Sequence, residues 1–384
     1  PSKFATAWIS TYTGATFEFY VPTNTSYRGW TNGQQKIISG NGTIVKSGAG
    51  MLELGADASG VKYGTVISMS GGVIDIQEGM LRNGTDNYVN WRTNYSSLNI
   101  GPSGIFDIRD ASNPVFVDAL TGSGQITSSY ETVSVYVGVN NGSGVFSGDT
   151  PPVSGDEMTL YKLGTGTQVF CGANVRFYGI VVSNGVLQIG NNTPISSYLL
   201  DTYNGNIALN GGELRFYASD DYTLTNRLYY GGAFTKLGTN ILTVASVNGH
   251  TGTTWVADGT MTFAAGASIS DSTNVMISAN AAMIMESTNN VLNDNCTLRM
   301  ESSGGYATLY LTNDVVDTIQ QLFFDGAAQA PGTWGSSESA ADYKNDNFLQ
   351  GPGMLVIQGQ DGAWGVDSNG FWLVTTNWLN LSVA

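Results

Sequence analysis

Short runs of alternating apolar and polar residues, many of them introduced by glycine, recur along most of the chain. The alternation lasts about four residues at a time, which is the pattern of a strand with one buried face. No long helical period accompanies it, and the best helix candidate, residues 313–323, alternates as well as it cycles. The pattern predicts an all-β chain of short strands, with clear examples in residues 72–76, 104–108, 122–126, 185–189, 212–216 and 353–357.

One longer pattern occurs three times, with glycine two positions after a lysine and apolar residues two positions before and eight positions after it. The lysine, the glycine and the last apolar residue are Lys46, Gly48 and Leu54, then Lys162, Gly164 and Phe170, then Lys236, Gly238 and Val244. Such short units bury an apolar face only when they stack as rungs of a coil, at about 22 residues per rung. Parallel strands joined by corners of one hand predict a right-handed parallel β-helix, or β-solenoid. We expect Gly48 and Gly238 to have positive φ, and the three lysines to lie on stacked rungs.

A second pattern follows each copy, in which a short strand runs into a glycine corner, at residues 64–74, 179–187 and 252–261. Together the two patterns resemble the autotransporter-associated β-strand repeat of bacterial secreted and surface proteins. The resemblance implies a parallel β-helix that is exported to the cell surface. It implies no particular activity, because a fold does not fix a function.

The two ends of the chain differ from its middle. Residues 1–39 are rich in aromatic residues and are predicted to be a cap or docking segment, because a terminal rung carries the exposed end of the core. Residues 40–360 are predicted to be the solenoid body, and residues 361–384 a tryptophan-containing tail. The tail ends in an alternating strand with no turn to return it to a partner, so it is predicted to add to an adjacent copy. The residues expected in that contact are Trp364, Trp372, Trp378, Leu379, Leu381 and Val383. The alternative is a tail that folds back on its own coil.

Composition narrows the classes of function. The formal net charge of −15 argues against nucleic acid and anionic lipid, which require basic surfaces. No apolar run is long enough for a membrane-spanning helix, so no membrane insertion is expected. Charged residues make up only 12% of the chain, but 41% is hydrophobic, which favours a folded chain.

Candidate catalytic residues are few. Asp107 and Arg109 share a strand face and are expected to form an exposed ion pair. The single histidine, His250, lies in a predicted turn and is expected to be solvated, and one histidine excludes a multi-histidine metal site. The three repeat lysines are expected to cover the edge of the core with their stems while their amines reach water, with an anion-binding ladder as the alternative.

Other candidate binding residues have structural interpretations. The Asp and Asn clusters at residues 220–221, 293–295 and 345–347 are expected to form turns, with calcium binding as the alternative. Cys171 and Cys296 are expected to be small buried hydrophobic residues, with a disulfide as the alternative. Four tyrosines are expected to pack between rungs, or alternatively to stack sugars with two nearby arginines; they are Tyr217, Tyr222, Tyr229 and Tyr230, with Arg215 and Arg227. No cofactor, metal or catalytic residue is expected.

These observations predict an extracellular or cell-surface structural protein of a bacterium, without enzymatic activity, that assembles head to tail with copies of itself. The product would be a filament or a surface layer. Two alternatives stay open: an adhesin or passenger module that binds surface glycans, and a carbohydrate-active β-helix enzyme.

Overall fold

The chain folds entirely with β-strands and turns in the part that the structure describes. The structure is a computed structural model that covers residues 2–4, 8–29, 36–55, 64–84, 89–109, 114–128, 133–150, 158–195, 206–286, 290–312 and 315–358, with the two short segments 363–364 and 378–379. Most strands pair in parallel with the strand one rung away, so the predicted parallel β-solenoid is confirmed. None of the described segments is a helix that could span a membrane.

The chain divides into two compact units. The first consists of residues 1–220 and 228–232. Its strands are β1 (Ser2–Phe4), β2 (Trp8–Thr11), β3 (Thr16–Tyr20), β4 (Ser26–Gly29), β5 (Lys36–Gly40), β6 (Thr43–Ser47), β7 (Met51–Glu53), β8 (Thr65–Met69), β9 (Val73–Arg82), β10 (Val89–Asn90), β11 (Ser97–Asp107), β12 (Val115–Val117), β13 (Leu120–Gly122), β14 (Gln125–Thr127), β15 (Val133–Val137), β16 (Gly144–Phe146), β17 (Met158–Lys162), β18 (Thr167–Phe170), β19 (Gly179–Val182), β20 (Val186–Thr193), β21 (Asn206–Leu209), β22 (Glu213–Ala218) and most of β24 (Arg227–Tyr230).

The second unit consists of residues 221–227 and 233–384. Its strands are β23 (Tyr222–Leu224), β25 (Ala233–Leu237), β26 (Ile241–Val244), β27 (Gly249–His250), β28 (Thr254–Val256), β29 (Thr260–Phe263), β30 (Asn274–Ile277), β31 (Ala282–Met285), β32 (Thr297–Met300), β33 (Thr308–Leu311), β34 (Val316–Ile319), β35 (Gln321–Phe324), β36 (Ala327–Ala328), β37 (Gly332–Gly335), β38 (Tyr343–Lys344), β39 (Leu349–Gln350), β40 (Met354–Ile357), β41 (Ala363–Trp364) and β42 (Trp378–Leu379). The helix candidate at residues 313–323 contains two of these strands, β34 and most of β35.

Rung length varies more than the sequence predicted. Thr43 pairs with Thr16, 27 residues earlier, and with Val73, 30 residues later. Further along the first unit Thr167 pairs with Val186, only 19 residues later. The strands keep similar lengths, so the corner segments between them account for the variation.

The core of each unit is built from columns of apolar side chains in register. In the first unit one buried column contains Ile44, Ile74, Leu98 and Leu120. In the second unit one buried column contains Leu242, Met261, Met283, Leu309 and Leu349. Each rung therefore buries its apolar face against the next rung, as stacking of short units requires.

Parallel pairing gives way to antiparallel pairing late in the second unit. β36 folds back on β35, and β37 pairs antiparallel with β40. The aromatic rings of Phe324 and Phe348 stack at 4.4 Å beside these strands, and the rings of Trp334 and Tyr343 stack at 4.8 Å. The strands and rings close over the last described rungs.

The tail also pairs antiparallel, which corrects one prediction. Ala363 pairs with Leu379, and Trp364 with Trp378, so part of the terminal strand has a partner within the tail itself. The prediction of a strand with no partner is therefore wrong at Leu379. The remaining assembly candidates, Trp372, Leu381 and Val383, lie outside the described residues.

Candidate functional site

The repeat lysines are the most regular polar feature of the molecule. Lys46 is 1% exposed, and its amine donates to the carbonyl oxygens of Ser47, Gly48 and Glu78 at 2.9, 2.6 and 2.8 Å. The first two acceptors belong to the corner that follows the lysine, and the third belongs to the next rung. The other two lysines repeat this arrangement, with Leu163, Gly164 and Asn184 around Lys162, and Leu237, Gly238 and Asp258 around Lys236.

The amines therefore do not reach water, and that prediction is wrong. An ammonium group has three donors, and three carbonyls accept them, so the alternative of an anion-binding ladder is wrong as well. Burial lowers the pKa of each lysine to about 8, against an opposing attraction from a nearby carboxylate in each case. The stems do lie on the inward face, as the alternation predicted, and the apolar residues eight positions after each lysine are all buried.

The glycines of the three corners have the backbone conformation that the sequence predicted. Gly48 and Gly238 have φ of 72° and 81°, and Gly164 has φ of 57°. A glycine on the following rung packs against each corner; at Gly185, a Cβ atom would lie 2.5 Å from the carbonyl oxygen of Gly164. Gly79 and Gly259 hold the same position against the other two corners.

The lysines do not occupy one position on stacked rungs, contrary to the prediction. Lys46 lies on β6, whose ladder continues through β9, β11, β13 and β16 to β18. Lys162 lies on β17, which belongs to a different ladder, between β15 and β19. The repeat therefore specifies a type of corner, and this corner occurs at different places around the coil.

Asp107 and Arg109 do not pair with each other as side chains, and Asp107 is not exposed. Asp107 is 1% exposed and accepts from Arg82 Nε at 2.7 Å, while Arg109 Nη1 donates to Glu53 at 3.0 Å. Glu53, Arg82 and Asp107 are in register on three consecutive rungs. The predicted exposed ion pair is therefore wrong, and the charges form a largely buried structural network. Within the described ranges, no three metal-ligating acids, histidines or cysteines lie together.

His250 is buried, so the prediction of a solvated turn histidine is wrong. Its Nε2 lies 2.8 Å from Thr254 Oγ1, which donates to Ser272 Oγ at 3.1 Å. Ser272 in turn donates to the carbonyl of Gly252 at 2.7 Å. This chain of donors places the histidine proton on Nε2, and Nδ1 has no hydrogen-bond partner among the described residues. Burial lowers the pKa of His250 to about 4.

Asp317 is a second buried titratable group in the same unit. Its Oδ2 accepts from the backbone nitrogens of Val291 and Leu292, both at 3.0 Å. Burial nevertheless raises the pKa of Asp317 to about 6, against the effect of these hydrogen bonds. The carboxylate joins two chain segments and has a structural role.

The remaining polar candidates have the structural roles that the sequence favoured. Asn293 Oδ1 accepts from the backbone nitrogen of Asn295 at 2.8 Å, and Asn345 Oδ1 from that of Asn347 at 3.1 Å, as turn formers do. Cys171 and Cys296 are free thiols, so the alternative of a disulfide is wrong. Arg215 pairs with Glu213 at 2.8 Å.

An aromatic stack on the first unit was missed by the sequence analysis. Phe116, Tyr136 and Tyr161 are in register on three rungs, and their rings lie 4.4 Å apart in near-parallel planes. Each is the middle residue of a short alternating strand, in Val115–Val117, Val133–Val137 and Met158–Lys162. A search for aromatic residues between apolar neighbours at rung spacing would have found the stack.

The first rung of the coil is the best candidate interaction site. Within the described residues, β2 pairs only with β5, and β3 only with β6. Trp8, Tyr12 and Tyr20 are among the most exposed aromatic residues that the structure describes. Trp8 Nε1 donates to Ser39 Oγ at 3.0 Å, which holds the exposed ring against the next rung. We call β2 and β3, with these three aromatic residues, the N-terminal edge.

Comparisons with protein-family models, with curated proteins and with solved structures found no match. The resemblance to the autotransporter-associated repeat therefore stays a prediction from the sequence. What the chain establishes by itself is its fold, a parallel β-solenoid with lysine-closed corners.

Proposed function

We propose that this chain is a non-enzymatic structural β-solenoid of the bacterial cell surface, which assembles head to tail with copies of itself. The N-terminal edge is the acceptor surface in this proposal. The tail, residues 361–384, is the donor, because it contains a short antiparallel strand pair that can extend a sheet.

The observation that carries the proposal is the open end of the core at Phe17. Phe17 is in register with Ile44, which points into the core and is 4% exposed. Phe17 occupies the same inward position but is 38% exposed. The first rung therefore leaves apolar core surface uncovered in the described structure, and covering such surface favours association.

The N-terminal edge also lacks the features that protect strand edges. Soluble β-proteins block their edges with lysines, prolines, bulges or covering segments. Glu18 is the only charged residue of β2 and β3, and neither strand contains proline. Backbone donors and acceptors along these strands can therefore pair with a strand of another copy.

The test places charges on the N-terminal edge of the full chain. We expect the unmodified protein to form polymers that grow with protein concentration, seen by light scattering and negative-stain electron microscopy. Trp8→Lys combined with Tyr20→Lys should keep the protein monomeric, because two lysines on an edge oppose strand addition. Both side chains are exposed, so circular dichroism and thermal melting should show an unchanged fold.

The matched control is Tyr95→Lys combined with Tyr230→Lys, which changes two exposed tyrosines away from the N-terminal edge. This control should polymerise like the unmodified protein. Unmodified protein that stays monomeric at high concentration would overturn the proposal, and so would polymers of the edge variant. A closed dimer would contradict head-to-tail assembly, because two like edges would then pair with each other.

A further inference from the structure

A groove on the outer face of the first unit begins where the aromatic stack ends. Tyr161, the last ring of the stack, is in register with Val181 on β19. Val181 is in register with Ala208 on β21, and the next strand of this sheet is β24. Two rungs with small outward side chains therefore follow three rungs with aromatic rings.

The groove has a volume of about 450 Å³. Its floor contains Gly179, Val181 and Ala208, and Asn206, Tyr229 and Tyr230 also line it. This volume lies within the range of about 300–1,000 Å³ that small-molecule sites occupy. With rungs about 4.8 Å apart, two rungs of small side chains leave a slot of about 10 Å along the stack, which is room for one or two sugar rings.

Tyr230 is held in an unusual conformation beside this groove. Its φ is 74°, in the left-handed region that residues other than glycine rarely adopt, and its side chain is 62% exposed. Strained backbone of this kind is concentrated at binding and catalytic sites. Packing does not account for the strain, because the ring is mostly in solvent.

We propose that this groove binds a neutral oligosaccharide. The C–H faces of a sugar ring pack on tyrosine rings, and its hydroxyl groups pair with an amide such as that of Asn206 and with phenol groups. None of the lining residues carries a charge at neutral pH, so the groove offers no partner to an anionic or cationic sugar. The small residues of the floor let the ligand approach the backbone of β19 and β21.

The test is calorimetric titration of the full chain with cellohexaose, maltohexaose and chitohexaose, with tetragalacturonate as the charged comparator. At least one neutral probe should bind with Kd below about 1 mM. Tyr230→Ala should weaken that binding about tenfold or more, which corresponds to one lost stacking contact. Tyr20→Ala, at an equally exposed tyrosine of the N-terminal edge, should leave it unchanged.

A groove-filling variant supplies the complementary test. Ala208→Tyr places a ring in the slot next to the existing stack and should abolish binding. Gly179→Val does the same from a position where a Cβ atom meets only the Thr159 side chain, at 3.5 Å, so this variant should fold even if the first does not. The proposal is overturned if no neutral probe binds, if tetragalacturonate binds equally well, or if the folded filling variants retain full affinity. Titration of the Trp8→Lys, Tyr20→Lys variant separates the two proposals, since sugar binding does not require the N-terminal edge.

Discussion

At the scale of single residues, the repeat lysine decides how a corner is closed. A sharp corner turns backbone carbonyls inward, where no strand is available to pair with them. A buried carbonyl without a partner is destabilising, and one ammonium group satisfies three carbonyls at once. The sequence predicted the inward direction of the stem from alternation. It could not predict the destination of the amine, because the third acceptor is 32 residues away from Lys46 and 22 residues away from Lys162.

Replacing one of these lysines should measure the energy of this closure. We expect Lys236→Met to destabilise the fold by about 3 kcal/mol, because it leaves three carbonyl oxygens without donors while keeping the apolar stem. Urea unfolding of the variant and of the unmodified protein gives the difference in free energy.

Lys344→Met is the control for this prediction, since Lys344 is exposed in the same unit and loses the same charge. Its effect should stay below about 1 kcal/mol. Equal stability of Lys236→Met and the unmodified protein would contradict the prediction, and would mean that relief of the buried charge offsets the lost hydrogen bonds.

His250 should make the protein less stable in acid. Its folded pKa of about 4 lies below the ordinary value of 6.5, so the unfolded chain binds more protons between these values. The histidine contribution is therefore complete above pH 6.5 and is lost as the pH falls, by about 2 kcal/mol at pH 5. Asp317 acts with the opposite sign below pH 6, because its folded pKa is raised and the native state then binds more protons.

Comparison with a variant isolates the histidine from Asp317. Unfolding free energies of the unmodified protein and of His250→Gln should be measured at pH 7 and pH 5. The variant should lose about 2 kcal/mol less between the two pH values. The same loss in both proteins would show that His250 does not control this pH dependence.

At the scale of the elements, the strands and glycine corners were predictable from the sequence, but the grouping of the strands was not. Alternation and glycine mark where each strand starts, and all six glycine-led segments contain strands. The repeat did not show that Lys46 and Lys162 lie on different ladders, because corners of one sequence type occur at different points of a rung. The matching glycine of the first copy is Gly79, not the glycine pair at residues 71–72, since the segment after that copy is longer.

The corners should be far more sensitive to substitution than the strands beside them. Gly238→Val places a β-branched residue at φ of 81°, and we expect a loss of roughly 2 kcal/mol or more. Thr243→Val adds the same side chain on β26, at a half-buried position with strand geometry, and should change stability by less than about 0.5 kcal/mol. Equal midpoints of the two variants in urea would contradict the assigned role of the corner.

At the scale of the molecule, sequence composition indicated where the described coil is exposed but not how it is closed. The surplus of aromatic residues in residues 1–39 correctly marked an exposed rung. The antiparallel strands β36 and β37 were not predicted, because residues 327–335 lack the glycine-led alternation of the other strands. Pairing direction depends on contacts distant in sequence, which local patterns do not contain.

Net charge gives a prediction about assembly as a whole. Copies with a formal charge of −15 repel each other, whereas the N-terminal edge offers apolar surface and backbone hydrogen bonds. Raising the salt concentration from about 0.01 M to about 0.15 M shortens the screening length from about 30 Å to about 8 Å, which weakens the repulsion and leaves the apolar attraction. Polymers should therefore form at a lower protein concentration in the higher salt, as light scattering across a dilution series can show. Glu18→Gln removes the only charge on β2 and β3 and should promote assembly at low salt more than at high salt. Polymers that dissolve as salt is added would instead mean that ion pairs hold the copies together, and the apolar N-terminal edge would not be the contact.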